Sequence, residues 1–285
     1  MQALSRHGAR IAVTLLPLLF ALMHAVGVWP MGVLQRFEDI IYDARLRATM
    51  PQTLDERVVI VDVDEQSLAE VGRWPWSRNH LARLVDTLFD QHGIALLGLD
   101  TVLAEADESS GLRQLQALAS GPLADVPGLA EQVERLRPGL DYDAQLVRSL
   151  KDRPVVLGYY FTSDRNARTS GTLPQPVMQP EALEGRDIRA TRWNGYGANL
   201  PALAAVAPQA GFFNAITASD GVVRSVPLLA EFEGRYYESL SLAMFRRLVG
   251  QPTVQPGFAP QGLMGRGHQA LESVRLVQGT TELAI

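Results

Sequence analysis

The chain has 285 residues, a formal net charge of −5 and no cysteine. That acidic balance, with scattered arginines, a single lysine (Lys151) and no basic cluster, argues against a nucleic-acid partner. The missing cysteine excludes a disulfide framework and any thiolate metal site. The rest of the composition is that of a globular protein long enough for one large domain or two ordinary ones.

Ile11 to Val28 is an uncharged, largely apolar run preceded by Arg6 and Arg10 and followed by Trp29. It predicts one transmembrane helix at the short end of what crosses a bilayer. Pro17 and His24 interrupt it without forbidding insertion. The arginines before it and Glu38, Asp39 and Asp43 after it place residues 1–10 in the cytoplasm and the rest outside the bacterial inner membrane. A signal peptide cut near Ala25 and Gly27 is the alternative. Residues 29–50 predict a juxtamembrane helix. Phe37, Ile40, Ile41 and Ala44 share one face of it, and Pro51 ends it.

Residues 51–285 are expected to form the extracytoplasmic domain. Val58 to Val63 is nearly all β-branched and predicts a strand buried on both faces. Arg78 to Gln91 predicts an amphipathic helix with Leu81, Leu84, Val85 and Leu88 on one side, stopped at Gly93. Ile94 to Leu99 predicts a second strand, joined to the first by a right-handed parallel crossover. Ala104 to Gly139 is polar and reads as an insertion with helices at 112–119 and 129–136. A helix at 141–151 and a strand at 154–160 follow, and then a long loop to Pro180. Beyond it come a short helix at 200–206, a strand from Ala210 to Asn214 and antiparallel additions at 222–231 and 236–237. The last elements are a helix at 238–249, a loop at 252–267 and a strand at 273–277. The expected fold is α/β, with a mixed, mainly parallel sheet flanked by helices and preceded by one transmembrane helix.

Ligands of parallel sheets bind beyond the carboxyl ends of the strands, where Asp62, Asp64, Glu65 and Asp100 would gather. Those oxygens suit a divalent cation, but helix caps and ion pairs with Arg73 and Arg78 are the readier use, and no metal is assigned. In Gly72-Arg73-Trp74-Pro75-Trp76-Ser77-Arg78 the glycine permits a positive φ, Pro75 fixes a turn between two indoles and Ser77 is placed to cap the next helix. Arg73, Trp74, Trp76 and Arg78 could form a recognition lip; a packed turn is the favoured reading. Asn214 and the stretch Ser219 to Arg224 make a second polar cluster. Asp220-Gly221 is a hairpin signal, and Arg224 could reach an acid of the first cluster. His7, His24, His80, His92 and His268 show no metal-ligand spacing. Neither a nucleophile elbow nor a Gly-Lys-Ser/Thr phosphate loop is present. No catalytic residue and no cofactor are assigned.

Taken in order, these motifs resemble a known family. They are Glu38 with Tyr42-Asp43 and Arg45, Ile60 to Leu68, Gly72 to Arg78, Gly98-Leu99-Asp100, Gly211 to Asn214, and Asp220 to Arg224. The chain is similar, from about Phe37 onward, to the type two CHASE domain, a sensory domain shared by bacterial cyclases and histidine kinases. The resemblance implies a periplasmic sensor behind an N-terminal membrane helix, with further membrane helices and a cytoplasmic cyclase or kinase beyond it. Members continue past the point matched by Ile285, so the chain is expected to be the N-terminal portion of a receptor with its sheet incomplete. The expected partners are the membrane, a second copy in a homodimer, and a periplasmic small molecule or protein. Two rivals from other classes stand beside this reading. One is a tethered periplasmic hydrolase using paired carboxylates; the other is a structural dimerisation module.

Overall fold

A computed structural model describes residues 2–25, 28–29, 31–51, 53–186, 188, 190–258 and 271–285. The chain divides into two units, Met1–Asp64 and Glu65–Ile285.

The first unit holds helices α1 (Gln2–Ala25) and α2 (Gly32–Thr49). His24, a polar intrusion in the apolar run, has a structural use between them. Its Nδ1 accepts the Met31 backbone N–H at 2.9 Å, and its Nε2 lies 3.5 Å from Glu38 Oε1. The helix expected before Pro51 is present, but no residue of α2 is buried, and Phe37, Ile40 and Ile41 are all exposed.

The expected membrane span is not shown in this unit, and one expected strand is not formed. No described helix is long and apolar enough to cross a membrane. Helix α1 takes in Arg6, His7 and Arg10 as well as the apolar run up to Ala25. Residues 26–27, which the expected span and the alternative cleavage site both used, lie outside the described residues. The segment Val58 to Val63, expected as a buried strand, forms no strand. Val58, Val59, Ile60 and Val61 are 70%, 78%, 87% and 54% exposed. A strand needs another strand's edge for its backbone groups, and the described residues of this unit contain helices but no strand.

The second unit opens with α3 (Glu65–Val71) and α4 (Arg78–Asp90), then β1 (Leu97–Leu99). Helices α5 (Leu112–Ser120) and α6 (Leu129–Leu140) fill the polar insertion, and α7 (Tyr142–Leu150) leads into β2 (Val155–Thr162). The long loop after β2 contains β3 (Thr169–Ser170) and a 3-10 turn at Pro180–Leu183. Strands β4 (Thr191–Trp193) and β5 (Gly195–Gly197), α8 (Pro201–Val206), β6 (Ala210–Phe212) and the hairpin β7 (Ile216–Thr217) with β8 (Val223–Ser225) follow. The final run is β9 (Leu229–Phe232), β10 (Arg235–Glu238), α9 (Leu240–Leu248), β11 (Thr253–Phe258), β12 (Leu271–Gln278) and β13 (Thr281–Ala284).

The sheets are mixed rather than mainly parallel. Strand β2 pairs in parallel with β1 and with β6, while its far end pairs antiparallel with β5. Strands β10, β9 and β4 form a second sheet, and β11, β12 and β13 an antiparallel third. The excess of antiparallel pairs comes from short hairpin connections such as the turn at Gly234, which joins β9 to β10. The expected loop after Pro252 also begins as a strand, β11; its residues 259–267 lie outside the described residues. The parallel partner of β1 is thus β2, in the register Leu97–Val155, and not the segment Val58–Val63.

The sequence of β2, V-V-L-G-Y-Y-F-T, is β-branched and aromatic, and its first five residues are buried. Leu81 and Val85 of α4, Leu146 and Leu150 of α7 and Leu203 of α8 cover one stretch of it together with Val155 and Leu157. Farther along, Phe161 sits among the rings of Tyr159, Phe212, Phe232 and Tyr237, with centroids 5.3 to 5.8 Å away, and stacks on Trp193 at 6.4 Å. Gly158 is required there, since a Cβ would lie 2.3 Å from the Leu99 carbonyl oxygen. Truncating Phe161 to Ala removes the centre of this cluster and is expected to cost about 3–5 kcal/mol. Denaturant unfolding followed by Trp fluorescence measures it; a loss below about 1 kcal/mol would show that the rings do not form a packed core.

Candidate functional site

The Gly72 to Arg78 stretch is a packed turn. Gly72 has φ +109° and the Trp74–Pro75 bond is cis. The two indoles meet edge to face at 5.6 Å, Trp76 Nε1 donates to the Gly72 carbonyl at 2.8 Å, and Trp74 packs on the core beneath α4. Arg73 is exposed. Ser77 occupies the N-cap position of α4 but makes no capping bond with its side chain, because its Oγ bonds Asn79 Oδ1. The carboxylate of Asp107 accepts the Arg78 backbone N–H instead, at 2.6 Å.

Arg78 is 9% exposed and turns inward. Its Nη2 donates to the Glu105 carbonyl at 3.2 Å, and its Nε lies 3.7 Å from Asp143 Oδ1 on α7. Asp143 Oδ2 in turn accepts the Asp107 backbone N–H at 2.9 Å. Burial pushes Asp107 up, but hydrogen bonds from Ser109 and from the Arg78 backbone outweigh it and hold its carboxyl below the usual range. Burial dominates at Asp143 and raises it. These partners lie 29 and 65 positions along the chain, so no local spacing in the sequence announces them. Arg78 works as a tie between the start of α4, the loop after β1 and α7.

Glu65 and Asp100 are exposed, and so are Asp62 and Asp64 of the first unit. No group of three or more His, Asp or Glu that could hold a metal ion occurs among the described residues. Asn214 clasps the end of β2, accepting the Phe161 N–H at 2.8 Å and donating to its carbonyl at 2.9 Å. Arg224 meets Asp220, inside its own hairpin, through two bonds of 2.9 and 2.6 Å. The guanidinium holds Asp220 at about 2.

A concave site lies elsewhere in the second unit, in a cleft of about 280 Å³. One wall is Pro174 to Val177. That segment is held by Val177 N–H donating to the Tyr236 carbonyl and by an antiparallel bridge between Met178 and Tyr236. Helix α9 contributes Ala243, Arg246 and Arg247 to the lining, and Pro208, Gln209, Thr253 and Val254 also line it. Glu238, the last residue of β10, is 8% exposed. Its Oε1 accepts from Arg246 Nη1 at 2.5 Å, while Oε2 is buried without a partner. Arg246 also donates through Nε to the Pro252 carbonyl at 3.0 Å. Helix α9 can lie this close because Gly211 has no side chain; a Cβ there would fall 2.4 Å from Leu240 Cα.

The CHASE2 domain family matches residues 15–282, nearly the whole chain. The chain belongs to the CHASE2 family. CHASE2 domains are extracellular sensory domains of signalling receptors. The match starts inside α1, earlier than the resemblance from Phe37 suggested. No curated protein and no solved structure matches the chain.

In this CHASE2 domain the motifs within the second unit carry structural work: a packed turn, a tie, a clasp and a hairpin. The cleft is built from residues that no motif flagged. Glu238 lies at the end of a strand and Arg246 on the helix that follows, so no single periodicity relates the two. The paired arginines at the end of a predicted helix were visible, but they also suit the negative end of any helix.

Replacing Arg78 with Ala strands Asp143 and opens the tie, so a loss of about 3–5 kcal/mol is expected. Replacing Arg135 with Ala, whose ion pair with Glu131 on α6 is more than half exposed on both sides, should leave the denaturation midpoint close to that of the parent chain. Equal losses in the two variants would contradict the assignment. Glu238 gives a pH test. Desolvation raises its pKa above the ordinary 4.5 despite the bond from Arg246. The folded state therefore binds this proton more tightly than the unfolded one, and its contribution to stability falls as pH rises from about 4.5 through the raised value. Glu238→Gln should flatten that part of the stability–pH profile, measured by thermal unfolding.

Proposed function

We propose that this CHASE2 domain is the periplasmic sensory part of a bacterial transmembrane receptor. Its output is an adenylate or guanylate cyclase, a histidine kinase or a serine/threonine kinase outside this chain. The domain has no catalysis of its own and works as a homodimer, binding a periplasmic small molecule or protein. The observation that carries this is the family match over residues 15–282.

Membrane attachment is supported by α1. Val13, Leu15, Leu16, Leu18, Leu19 and Leu22 are all more than half exposed, and a helix apolar on every side is poorly suited to water. We assign it to a membrane-associated role. The sensing role is supported by a cleft whose lining includes Glu238, Arg246 and Arg247, since small molecules bind in concave surfaces with a few polar groups. A ligand there can bias the receptor only by its differential affinity for the signalling and resting states.

Topology reporters test the placement. With alkaline phosphatase fused after residue 285 and expressed in bacteria, strong phosphatase activity is expected. The matching β-galactosidase fusion should be inactive. The reverse pattern would place the domain in the cytoplasm and overturn the receptor reading.

A further inference from the structure

The cleft between the Pro174–Val177 wall and α9 has an unbalanced charge. Glu238 is matched by Arg246 through a 2.5 Å ion pair. Arg247, half-buried on the same wall, has no hydrogen-bond or ion-pair partner among the described residues. One positive charge is left over in the lining of the cleft. Guanidinium groups present planar forks of donors matched to carboxylates. Arg246 has its Nε and Nη1 committed to Pro252 and Glu238, which fixes its orientation and makes it a rigid neighbour for a second contact.

The other surfaces of the recess are of a different kind. Pro174, Pro176 and Pro208 offer apolar rings and no backbone N–H. Ala243 and Val254 add aliphatic surface. The lining therefore combines guanidinium donors with proline and aliphatic surface. At roughly 30 Å³ for each water-sized group, 280 Å³ admits a ligand on the order of ten non-hydrogen atoms.

We propose that the cleft binds a small organic monocarboxylate, its carboxylate on Arg247 and the outer edge of Arg246 and its apolar body against Pro174, Pro176 and Pro208. Glu238 is a positioning residue that holds Arg246. This deepens the sensory reading by naming the ligand class. A dianion would leave one charge unmatched, and a cation would face Arg247 directly. An inorganic anion would leave the proline surface unused.

The experiment is calorimetric titration of the purified full chain with butyrate, 4-methylpentanoate and benzoate. The amides of the same three acids and inorganic phosphate serve as comparisons. At least one carboxylate should bind with a Kd of about 1 mM or tighter, its amide at least about tenfold more weakly. Arg247→Gln, which removes a group without structural partners, should weaken the carboxylate about tenfold or more while leaving the thermal midpoint of the unliganded chain unchanged. Amide binding equal to that of the acid, no binding of any acid, or an undiminished affinity in Arg247→Gln would each overturn the proposal. Phosphate binding as tight as that of the best acid would show a general anion site and overturn the ligand class. The topology reporters are independent of this titration. If the titration fails while the phosphatase fusion stays active, the ligand assignment falls and the receptor reading stands.

Discussion

Strand β2 is hydrogen-bonded along both edges, and the second unit is arranged around that fact. A parallel neighbour on each side, β1 and β6, satisfies its first half, and β5 takes over where it leaves the parallel set. With its backbone paired, the strand can carry V-V-L-G-Y-Y-F through the middle of the unit and bury all but Tyr160 of it. The aliphatic half of its side chains recruits α4, α7 and α8; the aromatic half recruits β6, β9 and β10. Two buried or half-buried asparagines complete the pairing. Asn199 links Leu103 to the Gly158 carbonyl with two bonds of 2.8 Å, and Asn214 clasps Phe161. An amide serves these places because each needs one donor and one acceptor at once.

The cleft follows from the same arrangement at one remove. Strand β6 lies beside β2, Gly211 on β6 lets the start of α9 come within contact distance, and α9 then runs its Arg246 back over Glu238. A buried carboxylate paired on one oxygen only is an unusual thing to keep in a fold, since the desolvation of such a group is costly. Its ion pair with Arg246 in the lining of the cleft offsets part of that cost. The Arg78 tie, by contrast, sits in a core region with Glu105, Asp107 and Asp143 around it and reads as architecture.

Several elements were legible from local pattern alone. Helices α2, α4, α7 and α9 follow apolar spacing, and the hairpin turns follow Asp220-Gly221 and Gly234. Such elements complete their hydrogen bonds within a few residues, so their signals are local. The motifs were equally visible, and their order pointed to the family that the match over residues 15–282 bears out. What the motifs do was less legible. Ser77 has the right type and position to cap α4, yet the cap comes from Asp107, which only the folded loop brings there. Arg224 meets an acid four residues away, inside its own hairpin.

By itself the sequence determined the α/β class, most of the helices and the membership of the CHASE2 family, because periodicity and motif order are properties of neighbouring residues. The tertiary structure alone decided the fate of Val58–Val63, the partners of Arg78 and the cleft around Glu238. A helix finds its backbone partners within its own turns. A strand, an ion pair across a corner and a concave surface need groups that the chain brings together only when it folds, and no local pattern records which groups those will be.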